Sequence, residues 1–263
     1  MHSWYKSHED LPTVRLTLLA FCCLLALQGP VGQFTLSYSL GWGLILNQIG
    51  IMMAPVILLC RYLHLDTGTL FPLYTIPKQE WRWVLITTLC VVLLSDMALA
   101  FTEQLLPIPS QIQETLNQLL VIHSASDFLK KLFLFCILPA ITEEIYFRGF
   151  IQTSLAHRIG PFAAILISAL LFALAHGNIW YLHLYFGLGC FLGWIYEKSG
   201  SLWPTIVAHF INNAWTLTSH ALGLENVLSD NIIVQLFLLV GLLLILTWSF
   251  RRWNLESIPI QHT

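Results

Sequence analysis

Five ionisable side chains stand in the second half of this 263-residue chain where the sequence is otherwise apolar: Glu143, Glu144, Arg148, His176 and His209, the last with Asn213 four residues on. A charge near the middle of a bilayer costs at least ~2.5–3.5 kcal/mol on insertion scales, so such groups mark a functional site before they mark anything else. In the run FLFCILPAITEEIYFRGF, residues 133–150, a helical turn stacks Glu144 and Arg148 on one face as an ion pair, with Glu143 about 100° away. One glutamate is neutralised and the other is left to take and return a proton. His176 ends the stretch LFALAHG, four residues after Phe172. His209 and Asn213 share a helical face, an arrangement able to bind a metal or to donate two hydrogen bonds to one oxygen. Each fragment also has a plainer reading: a structural salt bridge, a core or interfacial histidine, and a helix-packing pair. Asp96 lines the same cavity or simply reaches water, Asn47-Gln48 bridges helices, and His183 is interfacial.

The elements that must position these groups are membrane helices. With 57% hydrophobic and 10% charged residues and a mean hydropathy of +0.72, the chain lies far from the soluble average of about 25% charged. An all-α, polytopic integral membrane protein is expected. Runs of about 20 apolar residues suggest eight spans, near 13–33, 38–61, 82–101, 130–154, 160–176, 179–196, 202–220 and 232–250. The first has signal-peptide length, but 28–30 offers no convincing small-residue cleavage site, so it is read as retained. Of the 12 basic residues, Lys6, Arg15, Arg61, Lys78, Arg82, Arg158, Lys198, Arg251 and Arg252 fall on one side, Lys130 and Lys131 on the other, and Arg148 within the membrane. The positive-inside rule then puts both termini in the cytoplasm, in a bacterial inner or plasma membrane. Residues 62–81 read as an interfacial stretch and 102–129 as carrying an amphipathic outer helix. The six cysteines lie in apolar runs and read as small core- or lipid-facing residues. A net charge of -2 gives no reason to expect a nucleic acid partner. One polytopic domain, 1–263, is expected, with a catalytic core over 125–220.

Together the three fragments are far more specific than any one alone. Glu143-Glu144-xxx-Arg148, Phe172-xxx-His176 and His209-xxx-Asn213, in this order on hydrophobic helices, resemble the CAAX prenyl endopeptidase and bacteriocin-processing family of intramembrane proteases. The lead-in Gly200-Ser201-Leu202-Trp203-Pro204 is similar too. The resemblance implies peptide-bond hydrolysis, with Glu143 as general base, His176 helping to activate water, and His209 with Asn213 stabilising the oxyanion. Glu144 and Arg148 would support them. It implies a membrane-associated protein or peptide substrate, brought to the membrane by lipidation or by its own hydrophobic helix: prenylated C-termini, bacteriocin leaders and C-terminal sorting signals all fit, and nothing in the sequence chooses among them. No cofactor is required on this reading. The alternative is a zinc site with Glu143, His176 and His209 as ligands, although no HExxH pair is present. A rival from another class is a transporter or immunity protein that uses the same groups as a proton relay.

Overall fold

A computed structural model describes residues 11–224 and 232–256, and every regular element among them is helical. Lys6 and both chain ends lie outside the described residues. Helix α1 is Val14–Tyr38, α2 Leu40–Tyr62, α3 Thr67–Leu70, α4 Lys78–Leu105 and α5 Ser110–Leu120. Helix α6 runs without a break over 125–159, and α7 is Pro161–Ala175, α8 Leu182–Ser199, α9 Leu202–Ala221 and α10 Ile232–Glu256. Each expected span coincides with one of these helices. Leu40–Tyr62, Lys78–Leu105 and Val234–Trp253 are each long and apolar enough to cross a membrane.

The helix ends follow from local chemistry. Ser124 caps α6 by accepting from Asp127 N, while the Asp127 carboxylate accepts from His123 N, a reciprocal arrangement of the capping-box kind. Gly160, at φ 85°, breaks the chain between α6 and Pro161, which opens α7. Gly200, at φ 63°, closes α8 in the left-handed conformation, and Ser201 caps α9 by accepting from Trp203 N. The stretch after α3 is tied to that same corner, with Leu202 N donating to Pro72 O and Ser201 Oγ to Tyr74 O. The segment expected at the interface thus also packs inward: Phe71 lies against Gly149, whose Cβ, if present, would come within 2.8 Å of Leu70 O.

Helix α6 is the axis of the bundle. Tyr146, Phe147, Arg148, Phe150 and Ile151 are all essentially without exposure. On one side Arg148 donates to Gly189 O at 3.0 Å and Gln152 to Gly193 O at 2.9 Å, two rungs one turn apart on both helices. The glycines permit this, because α8 also crosses α7 closely enough that a Cβ on Gly189 would sit 2.9 Å from Ala169 Cα. Helix α10 closes the far side against α4, with Trp83 and Trp248 packed edge to face. All six cysteines are free thiols, Cys22 and Cys23 exposed and Cys60, Cys90 and Cys136 buried.

Among the described residues three stretches wind as π-helix: Leu46–Met53 in α2, and Leu132–Ile137 and Ile145–Gln152 in α6. Such turns leave backbone carbonyls poorly aligned, and neighbours satisfy several of them here. Ser168 donates to Phe147 O, and Thr153 to Arg148 O.

Candidate active site

Helix α7 is shorter than the hydrocarbon core of a bilayer, which explains where His176 comes to rest. Its 15 residues, at ~1.5 Å each, make roughly 22 Å against a hydrocarbon core of ~30 Å. The chain then turns at Gly177, φ 64°, and Asn178 Oδ1 accepts from Trp180 N and Tyr181 N before α8 begins. His176 is therefore left half-buried at the end of α7. Its Nδ1 lies 2.8 Å from Phe172 O, and its ring stacks on Tyr185 at 3.9 Å. A carbonyl can only accept, so Nδ1 carries the hydrogen and Nε2 is the free lone pair of the neutral ring.

His209 stands between the two glutamates. Its Nδ1 is 2.8 Å from Glu144 Oε1, and its Nε2 is 3.9 Å from Glu143 Oε2. Glu144 Oε1 also accepts from Arg148 at 2.9 Å, and both partners of that ion pair are wholly buried. The two adjacent glutamates thus have different surroundings. Glu144 Oε1 is held by a guanidinium and an imidazole, whereas Glu143 comes no nearer to His209 than 3.9 Å, and the Oε2 of each carboxylate is without a hydrogen bond among the described residues. Phe172 joins the parts: Arg148 lies over its ring at 4.7 Å, with His176 and His209 packed at 4.6 and 5.8 Å between ring centres.

Other residues fall differently from expectation. Glu143 is not wholly free, because Gln48 Nε2 donates to its Oε1 at 2.9 Å. Gln48 bridges helices as expected, but the group it bridges to is the candidate base. Asn213 Nδ2 donates to Phe135 O at 3.2 Å, and its Oδ1 accepts from Asn212. Pro139 accounts for the first bond, since it has no N–H to offer the carbonyl four residues back. One N–H of Asn213 therefore ties α9 to α6, leaving its second for another acceptor. Asp96 accepts from Trp215 Nε1 at 2.6 Å, joining α4 to α9, and His183 meets Thr102 Oγ1 at 2.8 Å. The sequence reasoning missed Phe172 as the common wall and Tyr185 as the stacking partner of His176.

For zinc, the donor set is the test. Among the described residues no three His, Cys, Asp or Glu side chains are grouped closely enough to hold a metal ion.

Residues 125–215, which contain Glu143, Glu144, Arg148, His176, His209 and Asn213 but not Gln48, match the family model described as type II CAAX prenyl endopeptidase Rce1-like. The similarity to that family covers about a third of the chain. It is 30% identical over 105 residues, 40% of its length, to the Bacillus subtilis (strain 168) protein named "Putative membrane peptidase YdiL". It is 34% identical over 91 residues, 32% of its length, to "UPF0177 protein YxdF" of Lactococcus lactis subsp. lactis (strain IL1403). These matches span 43% and 50% of the two relatives, about half their length. No solved structure matches. The matched stretch begins where α6 begins and ends within α9, so it takes in α6, α7, the α8 that braces them and most of α9.

Proposed function

We propose that the protein is an intramembrane endopeptidase that hydrolyses a peptide bond of a membrane-associated protein or peptide, using a glutamate-activated water and no metal. The observation that carries this is the position of His209 between Glu144 and Glu143, with one carboxylate oxygen of Glu143 unspent. Glu144, His209 and Glu143 lie side by side in that order, and a cluster of this kind suits hydrolysis, whereas a proton relay needs its groups staggered along a path.

In this reading a water donates one hydrogen bond to Glu143 Oε2 and the other to His176 Nε2. Glu143 removes a proton as the water oxygen attacks the scissile carbonyl. The C–O bond forms and charge develops on the carbonyl oxygen, where His209 Nε2–H and the second N–H of Asn213 stabilise it. Glu143 then passes its proton to the leaving amine as the C–N bond breaks. With Nδ1–H given to Glu144, His209 donates from Nε2 only as the imidazolium. That charge state also balances the buried cluster, where two carboxylates otherwise face one guanidinium. The substrate reaches the site by a lipid anchor or a hydrophobic helix, and the eight spans leave both termini in the cytoplasm.

The test is a reconstituted preparation offered a library of lipidated and hydrophobic-helix peptides, with new termini read by mass spectrometry. Cleavage by the wild type, its loss in Glu143→Gln, and its persistence in a strong chelator are expected. Reversible loss in chelator, restored by zinc, would replace this reading with a metalloprotease.

A further inference from the structure

Gln48 is buried in an apolar stretch of α2, far in sequence from every motif, yet it makes the only hydrogen bond recorded to the Glu143 carboxylate among the described residues. Its two ends are both used. Nε2 donates to Glu143 Oε1 at 2.9 Å, and Oε1 accepts from the hydroxyl of Thr142, a residue that is itself buried. Thr142 Oγ1 also lies 2.9 Å from Leu138 O, one turn back on α6. An ionised carboxylate only accepts, so it selects the amide nitrogen, and a hydroxyl donor opposite the amide oxygen keeps the group from turning over. Thr142, Gln48 and Glu143 form a directed chain in which each donor polarises the next.

We propose that Gln48 is a positioning residue for Glu143, holding one carboxylate oxygen so that the other faces the reacting water, with Thr142 setting the orientation of the Gln48 amide. This rests on the peptidase reading of the site. A merely structural bridge between α2 and α6 would not need to end on a carboxylate whose other oxygen stands 3.9 Å from His209 Nε2. Nor would it need to lie in Leu46–Met53, one of three π-helical stretches that all present a group to this site: Gln48, the Phe135 carbonyl and Arg148.

The experiment compares Gln48→Met, which keeps length and volume, Thr142→Val, which keeps shape, and the double variant. Two readouts are taken: steady-state kinetics and the infrared carboxylate band of Glu143, assigned by its absence in Glu143→Gln. Gln48→Met is expected to shift that band and to lower kcat by about 10- to 100-fold, the worth of one hydrogen bond to a charged group, with KM nearly unchanged. Thr142→Val is expected to lower kcat less, and to add nothing in the Gln48→Met background, because it acts through Gln48. A Glu143 band unmoved by Gln48→Met overturns the proposal, as does a loss confined to KM or to thermal stability. A band that moves in a wild-type protein that cleaves nothing sinks the peptidase reading while the clamp on Glu143 stands. Should Gln48→Met fail to fold, the band in Thr142→Val decides: a shift supports the clamp and no shift overturns it.

Discussion

Two neighbouring glutamates of identical chemistry have been given different tasks by what surrounds them. Glu144 is pinned by Arg148 and His209, all three buried, and removing one partner of a buried pair leaves an uncompensated charge. Glu144→Gln should therefore lower stability by about 3–5 kcal/mol, read as a drop in thermal midpoint in detergent. Glu143→Gln should leave that midpoint nearly in place while abolishing cleavage. Equal loss of stability in both variants would mean that the two carboxylates share one structural role. Asn213→Ala should cut turnover about 10²-fold if its second N–H meets the oxyanion, and should also loosen α9 from Phe135 O. The Glu144–Arg148 pair was legible in the sequence because helical spacing is a local rule. Gln48 was not, because no local pattern tells a polar residue in α2 which of many groups on other helices it will meet.

Among the elements, α7 and α8 pack closely, and one carbonyl of α8 ties that packing to Arg148. Gly189 O accepts from Arg148, and a Cβ at Gly189 would press on the backbone of Ala169 rather than on a flexible side chain. Gly189→Ala should therefore cost about 1–3 kcal/mol and also reduce cleavage, because α8 must shift away from Arg148. A variant as stable and as active as the wild type would show that the two helices have slack. Where α6 begins, outside its apolar part, the His123 backbone N–H and the nearby Lys131 hold the Asp127 carboxyl below its ordinary range. The contribution of a lowered acid is complete above the unfolded value of about 3.9 and is lost as pH falls through the lower folded value. Amides of 123–128 should thus exchange faster below about pH 4, and Asp127→Asn should remove that acid dependence. The helices themselves could be read from hydropathy, because burial in lipid leaves long apolar runs. The π-helical stretches and the inward fold of Phe71 could not, since they follow from contacts made only once the bundle has formed.

At the scale of the whole molecule, what remains to be fixed is the direction in which the site faces. The family match covers residues 125–215, and the flanking helices supply Gln48 from α2 and the brace of α10 on α4. Basic residues are divided nine to two between the loops once Arg148 is set aside from the twelve, so the turn joining α6 to α7, with Arg158, should lie in the cytoplasm and the 102–129 connection outside. The same orientation puts the Gly177 turn, and with it the end of α7 bearing His176, on the side away from Arg158. Single cysteines at Arg158 and at Glu114, placed in a background with the six native cysteines replaced, test this with a thiol reagent that cannot cross the membrane. In intact cells the reagent should label the position 114 variant, while position 158 should label only after the membrane is opened. Labelling in the reverse order would invert the protein and put its substrate's cleaved segment on the other face. Labelling of both in intact cells would break the eight-span count, because an even number of crossings could then separate 114 from 158 while α6 alone connects them.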